Sequence, residues 1–182
     1  PCWSMPTGVF AASSSTAVDM PLLPINTTDS IILVAYILHA ELRCDDTGCR
    51  VDVEQIYQLR NQGQETVLKL GLAAVDGLPA YALRIEGGPA LGPGAPSADY
   101  VATWDISLGR NEQKRLVLSS SHPPQQGKIV SWRCEMPYLA PWGAIQGARM
   151  EFVFPQPITD DALLVVQPGN QGVGEGGLLY WD

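Results

Sequence analysis

The chain has 182 residues, 46% of them apolar and 16% charged, which is material for one domain with one substantial core. Its 11 Lys and Arg stand against 19 Asp and Glu, and a formal charge of -8 repels phosphate backbones and anionic lipid, so no nucleic-acid partner is expected. With 18 Gly and 15 Pro, long helices are not expected either.

Residues 1–30 lack the basic start and apolar run of a signal peptide and read as an extended N-terminal lead-in, rich in Ser, Thr and Pro, packed on a domain spanning 31–182. Pro1 stands where an initiator Met would, so an upstream stretch is expected. Asn26-Thr27-Thr28 matches the N-glycosylation sequon. The longest apolar run, Ile31 to Leu38, is broken only by Tyr36 and falls far short of the roughly 20 residues of a membrane helix, so no membrane span is expected.

From Ile31 to Cys44 the pattern is a long strand, central at first, then alternating with Leu38, Ala40 and Leu42 opposite His39, Glu41 and Arg43. Past an Asp-Asp-Thr-Gly turn, Val51, Val53, Gln55, Tyr57 and Leu59 share one face of a second strand. Asn61-Gln62-Gly63-Gln64 turns the chain, with Asn and Gly available for positive φ, and 65–74 makes a third strand. Further strands are expected at 81–86, 100–108, 113–119, 128–134, 145–154, 162–166 and 178–181. Three Gly- and Pro-rich stretches interrupt them. Residues 87–96 read as a mobile flap, 137–143 as a proline-framed loop and 167–177 as a flexible hairpin loop. Nine or ten strands with turn residues between them define an all-β domain, best fitted by a two-sheet antiparallel β-sandwich. Stopping one residue after Tyr180-Trp181, within what reads as a strand, fits a domain cut from a longer protein.

Cys44 and Cys49 flank a turn between antiparallel strands, which brings them into disulfide range and leaves Cys2 with Cys134 as the second pair. An even count with one pair in hairpin register points to an oxidising compartment, secreted or in the cell envelope. No cofactor or metal site is expected. The cysteines lack a second close Cys/His pair for zinc, His39 and His122 are far apart, and the best oxygen donors for calcium, Asp45-Asp46 and Asp160-Asp161, lack a calcium-loop pattern. Ser119-Ser120-Ser121-His122 holds the ingredients of a nucleophilic pair, but adjacent side chains on a strand point apart and the run reads as a polar turn. Asp99, Asp105, Glu135 and Glu151 offer carboxylates for glycoside chemistry without a spacing that selects a pair.

Trp104 and Trp132 lie in alternating strands and are expected in the core. Tyr138 and Trp142, framed by Pro137 and Pro141, are the candidate ligand- or partner-binding residues. Proline rigidity would present their rings to a glycan or protein, or else fold the loop over one end of the sandwich as a lid. The run Val51-Asp-Val-Glu-Gln-Ile-Tyr-Gln-Leu-Arg-Asn-Gln-Gly63 resembles the alternating strand and Asn-x-Gly turn of immunoglobulin-like and fibronectin-like modules of bacterial surface proteins. That resemblance implies architecture and location and carries over no active-site residue. The expected function is a non-enzymatic secreted or cell-envelope domain with a structural or protein-binding role. The alternatives are a carbohydrate-binding module using Tyr138 and Trp142, or an enzyme of another type.

Overall fold

A computed structural model describes residues 17–26, 29–74, 78–125, 130, 132–134, 136–143, 145–155, 172–174 and 178–181. Those residues form an all-β structure of twelve strands and one 3-10 turn. The spine is a long hairpin of β3 (Ile31–Asp45) and β4 (Gly48–Asn61), which is extended on one side by β8 (Gln113–Ser121) and β6 (Ala80–Ile85). On the other side lie β10 (Gly147–Val153), β12 (Leu178–Trp181) and β11 (Gly172–Gly174), giving a seven-stranded sheet. A three-stranded sheet of β2 (Leu22–Pro24), β5 (Thr66–Ala73) and β7 (Tyr100–Leu108) packs on its inner face. A small pair of β1 (Ala17–Asp19) and β9 (Trp132–Cys134) stands beside them.

Period-two patterning builds the core. Val51, Val53, Gln55, Tyr57 and Leu59 of β4 all point inward and are buried, beside Leu38 and Ala40 of β3 and Leu116 and Leu118 of β8. Leu68, Leu70 and Leu72 of β5 and Ala102, Trp104 and Ile106 of β7 meet them from the small sheet. Trp132 packs partly buried against this cluster, so both strand tryptophans serve the core.

Pairing is antiparallel with two exceptions that the sequence pattern does not foresee. β10 runs parallel to β3, with Glu151 opposite His39, and β1 runs parallel to β9. Parallel neighbours need a crossover instead of a tight turn, and the segment between β8 and β10, with its 3-10 turn at Met136–Trp142, supplies it. The lead-in also changes character: residues 17–24 are two strands, and Asp19, Met20 and Leu22 are among the most buried side chains of the fold. Gly172–Gly174 pairs with β12 inside the stretch read as a loop. The expected strand at 162–166 lies outside the described residues.

The turns follow their chemistry. Cys44 and Cys49 are direct cross-strand partners and form a disulfide, Cα to Cα 4.1 Å. Pairing continues to Asp45 and Gly48, so the loop tightens to Asp46-Thr47, where the Asp45 carboxylate accepts from the Thr47 backbone N–H and hydroxyl. Those bonds, the hydroxyl first, hold its pKa below the ordinary carboxylate value. Gly48 has φ +129°, and a Cβ there would sit 2.7 Å from the Gln125 carbonyl oxygen, so glycine is required twice over. Cys2 lies outside the described residues, and so does its expected pairing with Cys134.

At the next turn Asn61 does not adopt positive φ. Its buried side-chain amide instead donates to the carbonyls of Gln64, Leu108 and Gly109, tying the ends of the two sheets together. The Gly- and Pro-rich segment 87–96 is a strap across the open side of the sandwich and does not form a free flap. Leu91 N–H donates to Leu83 of β6, Gly94 N–H donates to Thr103 of β7, and the Trp104 indole N–H reaches the Leu91 carbonyl. Few side chains and no regular structure are what this requires, because the strap meets both sheet edges through its backbone.

Candidate functional site

The outer face of the large sheet carries a groove of about 630 Å³ across β3, β4, β8 and β6. Register builds it row by row. One row runs Glu151, His39, Glu54, Ser119, Ala82 over five adjacent strands, and the next runs Glu41, Asp52, Ser121, Ala80 over four. Neighbours within a row are about 4.8 Å apart and successive rows about 6.8 Å. The side chains shorten towards β6, where Ser119, Ser121, Ala80 and Ala82 leave the floor open.

Charges on this face are paired with one another. Arg43 Nη2 donates to Glu41 at 2.7 Å and its Nε lies 3.3 Å from Asp52. The Arg84 guanidinium donates to Glu54 at 2.9 Å and to the Ser119 hydroxyl at 2.8 Å, and Ser121 donates to Asp52 at 2.5 Å. Glu151 accepts from Arg149 at 2.7 Å and from His39 Nδ1 at 3.2 Å. The Arg149 bond, assisted by His39 against a partial desolvation, holds the Glu151 carboxyl below its ordinary value. Pairs as exposed as these add little to stability, so their main effect is to fix orientation.

A second polar cluster lies inside the fold, and no sequence pattern announces it. Asp19, 2% exposed, accepts from the Ser120 hydroxyl at 2.5 Å, from His122 Nε2 at 2.7 Å and from the Trp132 indole N–H at 2.6 Å. Ser120 and His122 are two apart, so on a strand they point the same way, and the adjacent-residue argument missed them. The arrangement is not a nucleophilic pair: serine and histidine both donate to one carboxylate and not to each other. The available signal is Asp19 itself, a lone acid in the apolar run from Val18 to Leu23.

Next to it, Gln55 accepts from the hydroxyls of Tyr36 at 3.0 Å and Tyr57 at 2.8 Å and donates to the Met20 carbonyl. The Leu22 N–H donates to Tyr57, and the Trp142 indole N–H donates to the Leu22 carbonyl at 2.8 Å. Burial above all raises the pKa of both tyrosines well above the usual phenol value. The folded state therefore holds those protons more tightly than the unfolded chain. Their contribution is complete below about pH 10 and declines as the pH climbs above it towards the raised values. Alkaline titration followed by phenolate absorbance and circular dichroism should show these two phenols ionising only as the fold is lost. Gradual ionisation with the fold intact would overturn this assignment.

Trp142, read from the sequence either as a ring presented to a partner or as part of a lid, is 8% exposed and stacks beside Tyr57 with centroids 5.8 Å apart, which is the lid arrangement. The proline-framed segment closes one end of the sandwich, which removes Trp142 from the surface because its ring finds an apolar partner and its N–H a carbonyl. Of Tyr138 only the backbone, within the 3-10 turn, is described. His39 and His122 are not brought together, since one lines the outer groove and the other lies within. Asp99 and Asp105 are exposed and apart, Glu135 and Asp160-Asp161 lie outside the described residues, and Glu151 stands beside the groove as the partner of its His39. Asn26 donates to the Val67 carbonyl and accepts from the Lys69 N–H, standing in for a strand residue on β5. Among the described residues no group of three His, Cys, Asp or Glu is set to hold a metal, and no helix is long and apolar enough to cross a membrane.

No family model matches the chain, and no curated protein matches it. Among solved structures, a proposed nutrient binding protein of Legionella pneumophila subsp. pneumophila is similar with a TM-score of 0.61 and 9% identity, over 93% of this chain and 68% of that one. Yeast LTA4 hydrolase in complex with Bestatin gives 0.49 and 9%, over 87% of this chain and 27% of the enzyme. An M1 zinc metallopeptidase from Deinococcus radiodurans gives 0.41 and 11%, over 84% and 38%. The first likeness shows a shared fold; the two enzyme likenesses are too loose to carry an argument.

Proposed function

We propose that this chain is a non-enzymatic, extracytoplasmic β-sandwich domain that binds a small polar molecule in the groove on the outer face of its large sheet. The groove carries the reading. Its size falls in the range of small-molecule sites, and its walls stand on paired strands, the rigid kind of scaffold that holds a site in place. The shared fold with a proposed nutrient binding protein is in keeping with it. A non-catalytic role is favoured because each groove carboxylate is held by an arginine, a histidine or a serine, and because the buried Ser120, His122 and Asp19 lack a nucleophile-to-base bond. The Cys44–Cys49 disulfide supports an oxidising compartment.

The test is a thermal-shift screen of sugars, amino acids, polyamines and nucleosides on the wild type and on Ala82→Phe, which fills the open end of the groove. A ligand that raises the wild-type midpoint should leave the variant unmoved. No stabilising compound, or one that stabilises both proteins equally, rejects the groove as a site.

A further inference from the structure

Resting on the groove as the binding site, we infer that its ligand is a neutral polyhydroxyl compound, a monosaccharide or a short sugar chain. The groove is mixed in sign and each of its carboxylates already has a cationic neighbour. Glu41 and Asp52 share Arg43, and Glu54 is held by Arg84. A carboxylate ligand entering it would face those three acids, and an amine would face the two guanidinium groups. A carboxylate would have to break an existing pair to reach a guanidinium, and an amine could use only the acceptors that the pairs leave free, never the guanidinium donors. A hydroxyl group needs no such exchange, because it donates and accepts at once.

The paired groups retain capacity for that exchange. A carboxylate has about four lone-pair sites and a guanidinium five N–H donors, and each pair here uses only part of them. Glu54 spends Oε1 on Arg84 and Ser119, and among the described residues its Oε2 accepts nothing. Glu41 likewise uses Oε2 for Arg43. Ser119 and Ser121 spend their O–H groups on Glu54 and Asp52 and keep lone pairs to accept with, while the guanidinium groups keep N–H donors, over a strand spacing of about 4.8 Å, on the scale of one sugar ring. Ala80 and Ala82 supply a flat apolar floor at the open end, suited to the C–H face of such a ring. The ion pairs fix the walls before the ligand arrives, which lowers the ordering cost of binding.

The experiment is an amide-resolved NMR titration of the whole chain with glucose, galactose, N-acetylglucosamine and maltose, with spermidine, glutamate and inorganic phosphate as charged probes. At least one sugar should shift the amides of 39–43, 52–54, 80–84 and 119–121, and Glu54→Gln should weaken that sugar at least tenfold. Glu54 is half-exposed, so this variant is expected to fold, and the dispersion of the same spectra reports whether it does. Shifts in the groove from spermidine, glutamate or phosphate alone overturn the sugar assignment while leaving the groove as a binding site. A sugar bound equally well by Glu54→Gln supports the sugar assignment and overturns only the part given to Glu54. Shifts elsewhere, or none with any probe, overturn both.

Discussion

Replacing Asp19 with Ala is expected to lower the stability of the domain by about 3–5 kcal/mol, the range for deleting one partner of a buried charged network. The carboxylate is the common acceptor for Ser120, His122 and Trp132, and its loss leaves the buried Ser120 and His122 donors and the part-buried Trp132 indole N–H without it. Asp19→Asn keeps one carbonyl oxygen in place and should cost less than Asp19→Ala. Urea unfolding of the pair measures the difference. A shift under about 1 kcal/mol for the alanine variant would mean that the cluster is solvated and does not hold the fold.

Trp142→Ala should be comparably damaging, about 3–5 kcal/mol, because it removes a large ring from the end of the core and the N–H that satisfies the Leu22 carbonyl. An exposed binding-loop tryptophan would instead change stability by about 0.5 kcal/mol or less. The same measurement thus separates the lid from a surface platform, and any affinity of the groove should survive it in the folded fraction. Asp19 and Leu22 belong to one short segment, so the double variant should lose less than the sum of the two single losses, with a coupling of about 0.5–3 kcal/mol. Strict additivity would mean that the two anchors act independently.

The central sheet was legible because its residues obey one rule over long runs. The five inward positions of β4, the alternation of β3 and the cysteines across their hairpin all follow from the two-residue period. Legibility failed where a side chain or a backbone did the work of something else. Asn26 replaces a strand's backbone with its own amide, the 87–96 strap pairs with both edges despite its glycines and prolines, and the 17–24 segment is too short in each strand to display a period. Parallel pairing of β10 depends on which end the chain re-enters from, and no local residue encodes that. For the site, His39, Glu41 and Arg43 were visible as an exposed face. Their juxtaposition with Glu54 and Ser119 needed the strand order. Gln55 on the apolar face of β4 was the overlooked sign of a buried network, and Asp19 was another.

The depth at which the 17–24 segment is seated governs how the domain can be made. Its anchors are separated from it by 101, 103, 113 and 120 residues of chain. During synthesis at about 5–20 residues per second, Asp19 waits on the order of 5–20 s for Ser120, His122 and Trp132 to exist. Over that interval Met20 and Leu22 have no finished core to enter, and closing such long loops slows folding further. Seating of the 17–24 segment is therefore set by the emergence of the β8-to-β10 crossover, which carries His122, Trp132 and Trp142, and the first strands synthesised are among the last to be locked in place.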